Sequence, residues 1–252
     1  MSIWMIVISA LMYIFMMVMN TLANTLPLNG ITTGDVSFKY PNLFQPTGMT
    51  FSIWGLIYIL LLAYVIYQFS TIGKPISDEM KQLFFRVNLL FALASLLNAL
   101  WLISWHYDKI VISTVIMVLL LVTLIWIGLL TPTLGMLTRT AFSVYLGWIT
   151  VATIANVTIM LVKLGIPSFS QGSVFMTSFI LVIGLVIAWL WVIKTKDIAY
   201  GVVIIWAYTG IVMRHFNHLE LNKAYPLIYT TAISSILMIV LVLSWITIQM
   251  KG

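Results

Sequence analysis

Eight apolar stretches, each of about the length a helix needs to cross a bilayer, run along this chain and leave few architectures open to it. They are Ile3 to Ala23, Met49 to Phe69, Leu83 to Ser104, Ile110 to Leu130, Ala141 to Leu161, Val174 to Ile193, Ile198 to Met213 and Leu227 to Ile248. With 62% apolar and only 7% charged residues among 252, the composition does not describe a soluble domain. Hydrocarbon supplies no hydrogen bonds, so such stretches must satisfy their own backbone, and helices do so. The expected fold is all-α, a polytopic membrane bundle of about eight helices. The seventh stretch is short and holds Gly201 and Gly210, so a tilted, broken or re-entrant course is expected there. All connections but the first are short, which predicts that consecutive helices are antiparallel neighbours. The first stretch lacks a basic lead, and its apolar core exceeds the ~7–15 residues of a secretory signal, so it is read as a helix.

Several function classes drop out at once. The chain has no cysteine, which removes disulfides and thiolate metal sites. Its net charge of +6 comes from basic residues scattered one or two per loop, a pattern of membrane topology and not of nucleic-acid binding. The amino-terminal side and even-numbered loops carry Lys74, Lys81, Arg86, Arg139, Lys194, Lys196 and Lys251, against Lys39, Lys109, Lys163, Arg214 and Lys223 opposite. Seven against five places both termini in the cytoplasm and the first loop outside. No acidic residue lies deep in a span, which argues against ion-coupled transport. No phosphate loop, zinc-protease helix or nucleophile elbow is present, so an enzyme would have to work with aromatic residues alone.

The first loop, residues 24–48, has a character of its own. It is rich in Pro and Gly and also carries Phe38, Tyr40, Leu43 and Phe44, which a polar linker would lack. Either it folds back over the mouth of the bundle as a lid, or its aromatics pin it in the headgroup region. Pro46 ends it, and Phe51 follows at the start of the second helix.

Three helices present aromatic and amide groups on one face. Trp54 and Tyr58 sit one turn apart on the second helix. Asn98, Trp101 and Trp105 share a face of the third, and Tyr145, Trp148, Ala152 and Asn156 a face of the fifth. Indole, phenol and carboxamide groups need partners inside the protein or on a ligand, because lipid offers none. Packing against a neighbouring helix accounts for any one stripe; three together favour a pocket, with Ala152 leaving a notch beside the Trp148 ring.

These residues resemble a known family. Pro46, Phe51, Trp54 and Tyr58 resemble the signature entering the second helix of the TspO/MBR family, the tryptophan-rich sensory proteins related to the mitochondrial translocator protein. Asn98 and Trp101 match its third-helix pair, and Tyr145, Trp148, Ala152 and Asn156 its most specific run, in the fifth helix. The resemblance covers roughly the first 163 residues and implies a five-helix domain, 1–163, with the long first loop, followed by an additional three-helix segment, 164–252. It implies a pocket beneath the loop that takes porphyrins, haem-related tetrapyrroles, sterols or synthetic aromatics. Trp54, Asn98, Trp148 and Ala152 would line it, Tyr58 and Asn156 would stand behind, and Phe44, Pro46 and Phe51 would form its mouth. The loop departs from the family pattern in lacking tryptophan and in having Thr47 after Pro46, and Val144 replaces the usual proline before Tyr145. The added helices would cover the surface on which shorter relatives dimerise, leaving a monomer or a different homodimer.

In the added segment, Tyr200, Trp206 and Tyr208 read as a close-packed helix with interfacial anchors. Arg214, His215 and His218 follow, with His106 on the same predicted side; no further ligand completes a metal-binding spacing, so no metal is expected and the histidines are read as solvated. Arg214 is a candidate partner for a tetrapyrrole carboxylate. The leading expectation is a receptor or sensor in a bacterial inner membrane that binds a flat hydrophobic ligand, with no required cofactor and with the bilayer and that ligand as its partners. The alternatives are a carrier for a small lipophilic solute and, last, light-dependent porphyrin breakdown assisted by tryptophan.

Overall fold

The computed structural model describes residues 3–25 and 28–250, which contain helices and turns and no strand. Nine α-helices follow one another: α1 (Ile3–Thr25), the short α2 (Thr33–Phe38), α3 (Ile53–Phe69), α4 (Asp78–His106), α5 (Ile110–Leu130), α6 (Met136–Lys163), α7 (Gln171–Thr195), α8 (Ile198–Phe216) and α9 (Pro226–Gln249). All but α2 are long and apolar enough to cross a membrane, α3 together with the 3-10 turn Gly48–Ser52 that leads into it. Polar caps mark where the chain leaves the apolar layer. Ser77, Ser170 and Asp197 accept from the Met80, Ser173 and Tyr200 amides at the starts of α4, α7 and α8.

Five helices close into a ring in the order α1, α3, α6, α5, α4. The expectation that short loops make consecutive helices neighbours holds for α4, α5 and α6 but not for α3 and α4. Each of these packs on α1, and their side chains meet across the ring's interior, as Tyr64 of α3 does with Phe91 and Asn88 of α4. A short loop limits the distance between helix ends only. Helices α7, α8 and α9 pack on one another and dock on the ring chiefly through α8 against α6.

The docking depends on close backbone approach. A Cβ on Gly147 of α6 would stand 2.9 Å from the Val203 Cβ and 3.1 Å from the Tyr200 carbonyl of α8. Small residues at membrane helix contacts allow this proximity, which replaces the hydrophobic drive that lipid does not supply. The expected break in α8 is absent: it is one continuous helix of 19 residues. Its two glycines are packing sites, Gly201 against Leu243 of α9 and Gly210 against Thr50. The mean hydropathy of α8, 1.3 against 3.0 for α5, fits a helix wedged between others instead of facing lipid.

The first loop folds back over the ring as a lid. Leu43 and Phe44 are buried in the protein and not in headgroups, while Phe38 remains exposed. A capping box, Thr32 with Asp35, starts α2, and Trp105 donates from its indole to the Thr33 carbonyl at 3.1 Å. His106 completes that anchor by bonding Thr33 Oγ1 and the Leu28 carbonyl, each at 3.0 Å. At the turn between α4 and α5, Asp108 accepts from Tyr40 Oη at 2.7 Å and pairs with Lys39 and Lys163 at 3.0 and 3.1 Å.

Candidate functional site

Beneath the lid, Trp54 is the hub of an aromatic cluster. It stacks on Tyr58 (centroids 5.6 Å apart) and Trp101 (6.1 Å) and meets Trp148 and Tyr145 edge-on at 6.1 and 6.2 Å. Phe51 adds an edge contact to Trp148 at 5.8 Å, and Trp105 lies 5.8 Å from Trp101. Offset stacks and T-shaped pairs are the favoured ring geometries. The sequence brings these rings together because α3, α4 and α6 each turn an aromatic face inward.

One layer away, a hydrogen-bonded chain ties four helices together. Tyr58 Oη donates to Asn20 Oδ1 at 2.5 Å, Asn20 Nδ2 donates to Asn98 Oδ1 at 2.8 Å, and Asn98 Nδ2 donates to Tyr145 Oη at 3.0 Å. A second amide, Asn156 of α6, accepts through Oδ1 from Trp101 Nε1 at 3.3 Å and Ser113 Oγ at 3.1 Å. Amide side chains suit this interior because each offers a donor and an acceptor to a different helix.

The cluster encloses a cavity of about 50 Å³ between the lid and α6. Its walls are mostly apolar: Phe51, Trp54, Trp101 and Trp105, and from α6 Trp148, Val151, Ala152, Ala155 and Ile159, with the lid residues Ser37, Asn42, Gln45 and Pro46 as the roof. Two buried polar atoms of its lining have no partner, the Trp148 indole N–H and Gln45 Oε1. On the far side of Phe51, Trp54 and Trp101 lies a second cavity of about 410 Å³, lined also by Asn20, Asn24 and Tyr58. A groove of about 440 Å³ between α7 and α9 is as large, but its Thr230, Thr231 and Ser235 hydroxyls bond carbonyls of their own helix and converge on nothing.

The structure therefore places Trp54, Trp101, Trp148, Ala152, Asn156, Pro46 and Phe51 around the first cavity and Tyr58 on the second. Asn98 and Tyr145 stand behind, in the hydrogen-bonded chain, whereas the resemblance had placed Asn98 in the lining and Asn156 behind. Phe44 is fully buried and does not line the cavity. Asn20 was missed by sequence reasoning; an amide within the first apolar span was the available signal. Gln45 and Asn42 were missed because roof position in a loop leaves no periodicity to read.

The reading of the histidines as solvated holds for the exposed His218 and is overturned for the other two. His106 and His215 are both fully buried; His106 bonds Thr33 and Leu28, His215 bonds the Leu43 carbonyl at 3.0 Å, and His218 bonds Asn222. Arg214 turns to the lid and to Glu220 and is not part of the cavity wall.

Comparison with curated proteins and with solved structures gave no match. A family model described as TSPO-like protein matches residues 6–245, from α1 into α9, and so extends past the first 163 residues that carried the resemblance and through α7 and α8. The aromatic ring interior, the lid and this match together place the chain in the family of TSPO-like proteins, integral membrane proteins of helical build.

Proposed function

We propose that the protein is a membrane receptor or sensor for a flat hydrophobic ligand, a porphyrin or other tetrapyrrole, held between the Trp54 and Trp148 rings and the α6 wall at Ala152. The observation that carries this reading is the unpartnered N–H of Trp148, a residue that lines a mostly apolar cavity. An unsatisfied buried donor costs about 1–3 kcal/mol, and a ligand acceptor would recover that cost. Ala152 lies eleven residues from the lid end of α6 at Lys163, about 16 Å at the helical rise, so the inner end of the site reaches a depth at which a hydrophobic ligand partitions.

In the closed form the cavity has room for a few waters and not for a tetrapyrrole, since ligand sites measure roughly 300–1,000 Å³. The partition formed by Phe51 and Trp54 separates it from the 410 Å³ cavity, which falls within that range. Binding on this reading moves that partition or lifts the lid, so the ligand reports its presence as a change of shape. Receptor is favoured over carrier because the ring beneath the site is plugged. Tyr64, Phe91 and Phe142 are fully buried there, with centroids 4.9–5.6 Å apart. In the proposed orientation the lid faces outward from a bacterial inner membrane and both termini face the cytoplasm.

The test is a tryptophan-fluorescence titration of the detergent-purified protein with protoporphyrin IX, corrected for absorption, on wild type and Ala152→Phe. Saturable quenching that the variant loses is expected. Equal quenching in both, with the variant folded, would sink the assignment of this cavity.

A further inference from the structure

Helix α8 grips the lid at several polar points. Arg214 donates from Nη1 to the Asn42 and Gln45 carbonyls at 2.8 and 3.0 Å and from Nε to Glu220 at 2.8 Å. Next to it, the His215 Nε2 bonds the carbonyl of Leu43. Two and one turns earlier, Trp206 Nε1 donates to the Thr50 carbonyl at 2.9 Å and the Gly210 carbonyl accepts from the Thr47 amide at 3.1 Å. The gripped residues, 42–50, include the cavity roof at Gln45 and Pro46 and lead directly into Phe51 of the partition.

Each side of this contact solves a problem for the other. A guanidinium whose side chain is only 7% exposed is costly to bury without partners, and here Nη1 and Nε donate to two lid carbonyls and Glu220. The lid between α2 and the Gly48 turn is irregular, so its buried carbonyls lack the intrahelical donors that other segments at this depth have. Gly210 contributes through its missing side chain, since a Cβ there would stand 2.0 Å from Thr50 Oγ1.

We propose that α8 is the latch of the lid and that Arg214 is its principal positioning residue, acting on the cavity through the backbone of Gln45 and so setting how fast the site opens. The added three-helix unit thereby gains a role, since it carries the latch. The latch takes its part in ligand exchange from the receptor reading above, but it can be tested without any ligand.

The chain has no cysteine, so Ala155→Cys in the cavity wall provides a single thiol. Its labelling by a water-soluble maleimide is followed in nanodiscs, in the otherwise wild-type protein and with Arg214→Gln, Arg214→Lys or Trp206→Phe added. Loss of charged hydrogen bonds at Arg214→Gln should speed labelling about ten-fold or more. Arg214→Lys keeps the charge without the fork and should fall between, and Trp206→Phe, which removes one bond from a half-exposed ring, should give a rise of about two-fold or more. Porphyrin association and dissociation should both quicken in Arg214→Gln while the equilibrium constant changes less. Unaltered labelling in Arg214→Gln and Trp206→Phe overturns the latch, and if Arg214→Gln does not fold, unaltered labelling in Trp206→Phe alone does so. Faster labelling without porphyrin binding in any variant would instead remove the receptor reading and leave the latch standing.

Discussion

Replacing Asn20 by leucine should expose how much the ring depends on its polar chain. The substitution keeps roughly the same shape and removes two interhelical bonds, the one received from Tyr58 Oη and the one given to Asn98 Oδ1. Tyr58 borders the 410 Å³ cavity, where its hydroxyl can find water. Asn98 is fully buried, so its Oδ1 would be left without a donor. An orphaned buried acceptor costs about 1–3 kcal/mol, while hydrogen bonds between membrane helices average about 0.6 and reach about 1.7 kcal/mol. The expected destabilisation of Asn20→Leu is therefore about 1–2 kcal/mol, read from SDS-induced unfolding in mixed micelles. Adding Asn98→Leu removes the orphan itself, so the double variant should be more stable than the sum of the singles predicts, by about 1 kcal/mol. Tyr58 also loses its tether, and because its ring stacks on Trp54, the emission of the single variant should shift. Singles that add without coupling, or an Asn20→Leu protein as stable as wild type, would refute the claim that this chain holds the site in shape.

Asp108 makes the lid sensitive to acid. Burial pushes its carboxyl up, but hydrogen bonds from Tyr40, Lys39 and Lys163 outweigh this and hold it below the usual 3.8. A lowered folded value means that the clamp contributes fully above that usual value and is lost as pH falls through the folded one. The protection of residues 28–47 against hydrogen exchange, relative to the intrinsic rate at each pH, should fall below about pH 4 in wild type, and Asp108→Asn should show the lowered protection already at neutral pH. Gly147→Leu should cost about 1–3 kcal/mol, because its Cβ would meet the Val203 Cβ and the Tyr200 backbone, neither of which can yield without moving a helix. Thermal unfolding in detergent measures it, and Gly147→Ala should cost less.

What the sequence could reveal follows from what leaves a period. The spans were legible because hydrocarbon enforces helices of fixed minimum length, and the stripes at Trp54, Asn98 and Trp148 because an α-helix returns a face every three to four residues. The ring order was not legible. Loop length says which helix ends lie close, and α3 and α4 show that it does not say which helices pack. Leu43 and Phe44 marked the loop as too apolar for a linker but left burial as a lid and anchoring in the headgroups both open, and nothing marked the partner that holds it. Arg214 and His215 looked like interfacial charges until the lid carbonyls of Asn42, Leu43 and Gln45 came to rest on them. Contacts between residues roughly 170 positions apart, such as Arg214 with Asn42, depend on tertiary docking that leaves no local pattern.

The most direct test of the central claim is a crystal structure of the protein with protoporphyrin IX. The account predicts the macrocycle against Trp54 and the α6 wall at Ala152, a ligand acceptor on Trp148 Nε1, and the Phe51 partition displaced. Density for the macrocycle in the groove between α7 and α9, with the cavity under the lid closed as before, would contradict it.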